Sequence, residues 1–255
     1  VSGGLLQVEQ LERAFGGVKA VDGASFAVRP GEVHGLIGPN GAGKTTVINL
    51  VSGLLGPTAG EIVLQGRPIH GLPPHVIAGQ GIARTFQNIR LFKQLSALDN
   101  VRIACHQRAQ AGFAAAVLRS GGFLEDEARI TRRAEEFLAV MGLGHRRDEQ
   151  ARNLPYGEQR RLEIARALAT APKLLCLDEP AAGMNASEKV SLMELVRKIR
   201  DDFGLAILII EHDMRVVMGI SERITVMVSG AVFATGSLAH GTALVVDPML
   251  ATGGS

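Results

Sequence analysis

The sequence has no long apolar run, little net charge and only two cysteines. Its longest apolar stretches, such as LAILII at 205–210, are strand-sized, whereas a membrane span needs roughly 18 residues. A net charge of +2 is too small to indicate a basic face for nucleic acid, so we expect no nucleic-acid partner. The start VSGGLLQVEQ lacks the features of a secretory signal, and Cys105 and Cys176 lack metal-ligand spacing. We therefore expect a reducing, cytoplasmic setting.

What the sequence does have is a regular alternation of strand-like and helix-like segments. EVHGLIG precedes GKTTVINLVSGLL, KLLCLDEP precedes ASEKVSLMELVRKIRDDF, and LAILIIEHD precedes MRVVMGISERI. Continuous apolar strands of this kind are typical of a buried, largely parallel sheet, so the pattern predicts an α/β fold. The earlier segments LLQVEQLERAFGGVKAVDGASFAV and GEIVLQGRPI alternate more strictly, which predicts antiparallel strands, an antiparallel β subdomain and a mixed sheet edge.

Strand patterns disappear between about Phe92 and Leu154, where helical patterns such as EDEARITRRAEEFLAVMGL replace them. We predict a single domain with an α-helical insertion at 92–154. Its α/β core, which includes the antiparallel part, spans 1–91 and 155–236, and a tail follows at 237–255. Within the insertion, AGFAAAVLRSGG at 111–122 has the small-residue composition of a mobile loop, and the final GGS is expected to fray.

The strongest chemical motif is GPNGAGKT at 38–45, which matches G-x-x-x-x-G-K-[ST] between a strand and a helix. Glycines let the backbone approach phosphate oxygens, and the following helix start offers free N–H groups to an anion. We expect the Lys44 ammonium to reach the β and γ phosphates of a nucleotide and the Thr45 hydroxyl to bind Mg²⁺. The nucleotide-binding residues that this motif itself predicts are Gly38, Pro39, Asn40, Gly41, Ala42, Gly43, Lys44, Thr45 and Thr46.

A second motif, LLCLDEP at 174–180, places two carboxylates at the end of an apolar strand, where open α/β sheets bind ligands. Asp178 suits a Mg²⁺ partner that acts through water. Glu179 suits a general base or orienter for an attacking water in phosphoryl transfer. An acidic pair after a strand is also common at a helix start, but the phosphate loop favours the functional interpretation.

The stretch NLPYGEQRRLEIARALA at 153–169 has a proline, a glycine and a helix start some twenty residues before the acidic strand. With the two motifs above, it makes the chain resemble the ATP-binding cassette ATPases over nearly its full length. Their signature, most often Leu-Ser-Gly-Gly-Gln, matches Leu154, Pro155, Tyr156, Gly157 and Glu158. The resemblance implies that this helix start binds ATP held by a second chain, so that two chains enclose two nucleotides. A plain surface helix cap is the alternative interpretation.

The same resemblance assigns roles to three further residues. Gln87 in IARTFQNIRLF resembles the glutamine that touches Mg²⁺ and responds to the nucleotide, and His212 in LIIEHDM resembles the histidine that contacts the γ-phosphate. Phe15 resembles the aromatic residue that stacks on adenine. The implied catalytic set is thus Lys44, Gln87, Glu179 and His212, and the implied Mg²⁺ set is Thr45, Gln87 and Asp178. Asn185 stands where many relatives have aspartate.

Four segments, IARTFQNIRLF, YGEQRRLEIARAL, DEPAAGMN and IEHDMRVVMGISERITVM, look like the ATPase of branched-chain amino-acid importers. The resemblance implies transmembrane permease partners, a second related ATPase or a copy of this chain as dimer partner, and indirectly a solute receptor. It also implies a peripheral position on the cytoplasmic face of the inner membrane. Leu91 and Phe92 are candidates for contact with the permease, although a role in the core suits both equally.

Three other functions stay open. One is a soluble ATPase of the same family that acts away from membranes, although such relatives usually carry two cassettes or a long coiled coil. Another is the ATPase of an importer for urea or amides, because such an importer would need the same kind of ATPase. The third is a non-hydrolysing nucleotide switch, suggested by Pro155 in place of a small residue. Lys44, Asp178, Glu179 and His212 argue against the third.

Overall fold

The computed structural model describes residues 3–106 and 121–238, which form two compact units. The first unit contains residues 3–87 and 173–238, and the second contains the described part of Asn88–Pro172. The fold is α/β, with a mixed sheet, an antiparallel sheet and a helical part, as predicted. The predicted loop at 111–122 lies almost wholly outside the described residues, and the tail lies outside them from residue 239 onward.

The larger sheet of the first unit has six strands in the order β10-β9-β3-β8-β7-β6. Its strands are β3 Val33–Ile37, β6 Ile82–Arg84, β7 Leu174–Asp178, β8 Ala206–Ile210, β9 Arg223–Val228 and β10 Ala231–Ser237. All neighbours are parallel except β9 and β10. Every residue of β3, β7 and β8 is buried, which explains why these strands are continuous apolar runs in the sequence.

The smaller sheet is antiparallel, in the order β2-β1-β4-β5. It consists of β1 Leu6–Phe15, β2 Val18–Val28, β4 Ala59–Leu64 and β5 Arg67–Pro68. These strands form a sheet of their own, and the mixed edge of the larger sheet is instead made by β10. Apolar side chains from both sheets, such as Val8, Ile62 and Leu208, belong to one buried cluster.

Four helices complete the first unit: α1 Lys44–Val51, α2 Pro74–Gln80, α6 Ala186–Phe203 and α7 Met214–Ile220. Helix α6 starts with a capping box, in which Asn185 accepts from the Glu188 amide while Glu188 accepts from the Asn185 amide. It ends at Gly204, whose left-handed φ of 59° suits glycine. Helix α1 is shorter than the segment GKTTVINLVSGLL suggests, because the chain turns at Gly53 with φ 73°.

The second unit is helical within its described residues. Its helices are α3 Ala97–Cys105, α4 Gly121–Val140 and α5 Tyr156–Ala169, with 3-10 turns at Gly144–Arg146 and Ala151–Asn153. This unit is longer than the predicted insertion at 92–154 because α5 packs on α3 and α4 and buries Leu162 and Ile164. Within residues 3–106 and 121–238, no helix has the length and hydropathy of a membrane span.

Candidate nucleotide-binding site

The loop between β3 and α1 can be formed only by glycine at two positions. A Cβ on Gly38 would lie 2.2 Å from the Met227 carbonyl oxygen, and one on Gly43 would lie 2.3 Å from that of Ala20. At Gly41, where φ is +82°, a Cβ would meet nothing within 4 Å. The loop 38–43 therefore packs tightly against β2 and β9 but is open at Gly41, which is the shape needed to admit a phosphate group.

Helix α1 starts immediately after this loop. Its N-cap is Gly43, so the N-cap residue has no side chain to accept from the first amides of the helix. The Lys44 ammonium turns back over the loop and donates to the carbonyl oxygens of Gly38 and Pro39 at 2.8 and 2.9 Å. Burial lowers the pKa of Lys44, and the carboxylates of Glu179 and Asp178 oppose that shift. Thr45 is exposed and Thr46 half-buried. The loop thus combines unpaired helix-start amides with a cation, which suits a polyphosphate.

Asp178 ends β7 and is buried in an ion pair that the sequence did not predict. Arg84 at the end of β6 donates from Nη2 to Asp178 Oδ2 at 2.9 Å, and both side chains are nearly inaccessible. The same guanidinium donates to Asn49 Oδ1 of α1 at 2.6 Å. Arg84 therefore links the acidic strand end to the helix that follows the phosphate loop.

Glu179 is the point where three predicted residues meet. Gln87 donates from Nε2 to Glu179 Oε2 at 2.8 Å, and His212 Nδ1 lies 4.0 Å from Glu179 Oε1. The backbone of Glu179 has φ +48°, a left-handed conformation that non-glycine residues rarely adopt and that often marks functional sites. The side chains of His212 and Glu179 are 63% and 19% exposed, and Gln87 is exposed, so a ligand can reach all three.

Phe15 lies on a hairpin next to the phosphate loop. It ends β1 opposite Val18 of β2, and Ala20 of β2 is the residue against which Gly43 packs. The ring is 46% exposed, and the Arg13 guanidinium lies 4.7 Å from its centroid. An exposed aromatic face held from one side by a cation is suited to stack on a planar base.

The remaining predicted residues, Tyr156, Gly157 and Glu158, form the first turn of α5 in the second unit. Pro155 is the N-cap and has no side-chain hydrogen bond to the helix. Tyr156 is 47% exposed, and its hydroxyl accepts from Arg160, a buried residue of the same helix. Glu158 pairs with Arg146 at 3.1 Å. The first-turn amides have no carbonyl partner within the helix, so this end of α5 can accept an anion.

The structure brings the phosphate loop, Gln87, Asp178, Glu179 and His212 together in the first unit. It places the signature turn in the second unit. Sequence reasoning missed Arg84 and also Glu211, a buried carboxylate that follows β8. A charged residue in the apolar context LAILIIEHD was the available signal for Glu211.

Comparisons with known proteins agree with this geometry. The family model described as "ABC transporter" matches residues 21–182. The chain is 45% identical over 233 residues, 91% of each protein, to LivG of Salmonella typhimurium, a high-affinity branched-chain amino acid transport ATP-binding protein. It is 44% identical, again over 91% of each, to BraF of Pseudomonas aeruginosa, which has the same description.

Among solved structures, the chain is similar to a nucleotide-free ATP-binding cassette from an ABC transporter. The TM-score is 0.79 at 30% sequence identity, over 91% of both chains. The family match covers more than half of the sequence, and the relatives match it over nearly their full length. The chain therefore belongs to the ABC transporter family and is one of its ATP-hydrolysing cassettes.

Proposed function

We propose that this chain powers a membrane importer for branched-chain or related amino acids by hydrolysing ATP. The observation that carries the proposal is the 45% identity to LivG over 91% of both chains, together with a phosphate loop and an acidic strand end in one unit. The relatives' names concern high-affinity branched-chain amino acid transport. This chain would supply the energy for import and would not contact the amino acid itself.

ATP would bind along the edge of the larger sheet. The adenine ring would stack on Phe15, and the phosphates would lie on the amides of 38–43 and the start of α1. Lys44 would release the carbonyl oxygens of Gly38 and Pro39 and turn to the β and γ phosphates. Because the loop already holds the ammonium within itself, little reorganisation is required for this change of partners.

Mg²⁺ would bind beside the γ-phosphate, with Thr45, Gln87 and, through water, Asp178 as its protein partners. These are the oxygen donors that Mg²⁺ prefers, and the ion keeps several water and phosphate ligands. When bound, it supplies charge neutralisation for the phosphates. No cluster of three or more His, Cys, Asp or Glu side chains suited to a metal occurs among the described residues. Arg84 donates to Asp178 Oδ2 and so fixes this carboxylate at the end of its strand, where it would act on the ion through water.

Hydrolysis would then depend on Glu179. Its carboxylate accepts from Gln87 and lies 4.0 Å from His212, so it lies beside the residues proposed to contact Mg²⁺ and the γ-phosphate. Glu179 would accept a hydrogen bond from the attacking water and take up its proton. His212 would donate to the γ-phosphate, where negative charge must be stabilised.

The α5 start would complete the site of a second chain. Its Gly157 backbone and the uncapped first turn suit a γ-phosphate that approaches from outside the helix. The partner would be a related ATPase or another copy of this chain. We also propose that transmembrane permease subunits hold the pair on the cytoplasmic face of the membrane and that a solute receptor acts on the other side.

Uptake into proteoliposomes tests this function. The chain would be reconstituted with the permease, ATPase partner and receptor encoded beside it, with ATP on the side of the cassettes. We expect ATP-dependent accumulation of labelled leucine or isoleucine with the natural chain and none with Lys44→Ala. Transport of urea or acetamide in place of these amino acids would overturn the assignment of the substrate. ATP hydrolysis without any transport would overturn the assignment as an importer.

A further inference from the structure

Glu211 is a buried carboxylate that does not itself contact the reacting groups of the proposed reaction. It follows β8, directly precedes His212 and is only 1% exposed. An ionised carboxylate is costly to bury unless hydrogen-bond donors surround it. Its partners therefore indicate what the residue does.

Those partners belong to two different loops. Glu211 Oε1 accepts from the Ala181 amide at 2.7 Å, and Oε2 accepts from the His212 amide at 3.2 Å. Ala181 lies two residues after Glu179, so one carboxylate joins the segment after the proposed base to the loop that carries the histidine. A backbone bond from the Glu179 amide to the Ile210 carbonyl, at 2.9 Å, lies beside this bridge.

We propose that Glu211 is a positioning residue for ATP hydrolysis. It holds His212 and Glu179 at a fixed separation by accepting hydrogen bonds from the backbone of their two loops. The inference rests on the proposed function. Glu179 and His212 are 4.0 Å apart, and this separation depends on two loops from different strands. Glu211 is the side chain that contacts the backbone of both loops, and its burial limits its movement.

The position requires a carboxylate and not merely a polar side chain. Burial raises the pKa of Glu211, whereas the Ala181 amide, the nearby His212 and the amides of His212 and Asp213 oppose the rise by favouring the charged form. Both oxygens serve as acceptors. A glutamine of the same size has one acceptor oxygen, and its NH₂ group would face a backbone N–H, so one of the two loops would be released.

Glu211→Gln is therefore the informative variant. We expect kcat to fall about ten- to a hundredfold, the effect of losing a hydrogen bond to a charged group, while ATP affinity stays within about threefold. Affinity should hold because the phosphate loop and Phe15 are unchanged. A kcat equal to that of the natural chain would overturn the proposal, as would an equal loss of affinity and kcat.

A matched control separates positioning from general destabilisation. Glu32 is a second buried glutamate of the first unit, and it accepts from the Arg29 amide at 2.7 Å near the start of β3. Glu32→Gln should lower the melting temperature without changing kcat. If Glu32→Gln lowers kcat as much as Glu211→Gln does, the effect is one of stability and the proposal is wrong.

A double-mutant comparison tests whether Glu211 acts through His212. In a His212→Ala background, Glu211→Gln should cost clearly less in kcat than it does in the natural chain, since one of the two groups it positions is already gone. The full loss in that background would contradict the proposal. These outcomes presuppose that the natural chain hydrolyses ATP. If the natural chain is inactive, the proposed function fails. If the natural chain is active and Glu211→Gln has the same activity, only the positioning role is refuted.

Discussion

At the scale of single residues, the site contains a strained backbone at the residue that would act on water. Glu179 adopts φ +48°, which costs about 1–2 kcal/mol for a residue with a Cβ. Its amide donates to Ile210 and its side chain accepts from Gln87, so surrounding hydrogen bonds hold the conformation. A residue kept in this way has a fixed carboxylate direction, which a base or water-orienting group needs.

Lys44→Ala tests the phosphate loop at this scale. The substitution removes the only side-chain cation placed over the loop among the described residues, so ATP binding should weaken by about a hundredfold or more and turnover should be lost. Equilibrium binding of a fluorescent ATP analogue, with phosphate release in parallel, measures both. Normal turnover by this variant would refute the assignment of the loop. The fold should persist, because the carbonyl oxygens of Gly38 and Pro39 can accept from water instead.

Glu32→Gln tests how the free energy of unfolding depends on pH. Burial alone would raise the pKa of Glu32, but hydrogen bonds from His34 and the Arg29 amide outweigh it and lower the pKa below its ordinary 4.5. The fold therefore favours the charged form. This contribution to stability is complete above the unfolded pKa and is lost as the pH falls through the folded pKa.

The difference in unfolding free energy between the natural chain and Glu32→Gln should accordingly be constant from about pH 6 to 8 and shrink below about pH 4.5. Urea denaturation across this range provides the measurement. A difference that does not change with pH would mean that the carboxylate charge of Glu32 contributes nothing.

The sequence indicated the predicted site residues but not their partners. Glu179 could be proposed from its motif, and Gln87 and His212 from the resemblance to the ATP-binding cassette ATPases. Arg84 could not, because its pairing with Asp178 depends on β6 lying beside β7, with Arg84 opposite Cys176. A strand of three residues gives almost no periodic signal, so neither β6 nor its arginine was predicted.

At the scale of elements, α5 starts without a side-chain cap. Pro155 lacks both a hydroxyl and an N–H, and the first intrahelical backbone bond runs from the Gln159 amide to the Pro155 carbonyl at 2.9 Å. Gln159 also donates from its side chain to the Leu154 carbonyl at 2.8 Å, which fixes the entry of the chain. The uncapped amides are what a phosphate from another chain would use.

Gly157→Asp should separate a binding role from a capping role. A carboxylate in the first turn interacts favourably with the helix dipole, so the stability of the helix should stay the same or rise. The same carboxylate would repel a phosphate, so ATP turnover should fall by more than about a hundredfold. Steady-state ATPase rates with the partner subunit, beside thermal melting, give the two readouts. Turnover at the natural rate would mean that this stretch is only a helix cap.

Pro155→Ser is the converse variant. The added hydroxyl can cap α5, which stabilises the fold by roughly 1 kcal/mol. It can also donate to a phosphate, and turnover could then rise about ten- to a hundredfold at most. A more stable chain with slower turnover would contradict the proposed direct contact. The same ATPase and melting assays apply.

Asn185 gives a prediction for α6. Its side chain accepts from the Glu188 amide at 3.0 Å, and Asn185→Ala should lower the unfolding free energy by about 1 kcal/mol. Asn185→Asp keeps the acceptor and adds favourable charge at a helix start, so its stability should match or exceed that of the natural chain. Denaturant titration measures both variants. Equal stability of the alanine variant would show that the capping box contributes little.

Element types were more predictable than their assembly. The buried parallel strands could be predicted because a strand covered on both faces is continuously apolar, and α6 matches its predicted segment residue for residue. Alternation predicted β1 and β2 as part of an antiparallel β subdomain, but it could not show that β10 makes the mixed edge of the larger sheet. The allocation of α5 to the helical unit also escaped prediction, because a helix's apolar face does not reveal which neighbours cover it.

At the scale of the whole molecule, the proposed function requires two chains to act together. The phosphate loop, Asp178 and Glu179 belong to one compact unit, and the signature turn belongs to the other. In the proposed pair, the signature turn of one chain would meet ATP on the loop of its partner. ATP would thus be part of the interface, and its hydrolysis would release the pair and drive the permease.

The most direct test of this account is a single-turnover ATP assay with Glu179→Gln, run at high protein concentration alone and with the partner ATPase. Glutamine retains the size of glutamate and one acceptor oxygen but cannot take up a proton. We predict phosphate release slower by more than about a hundredfold, with ATP still bound and paired chains accumulating in light scattering. Phosphate release at the natural rate would contradict the account.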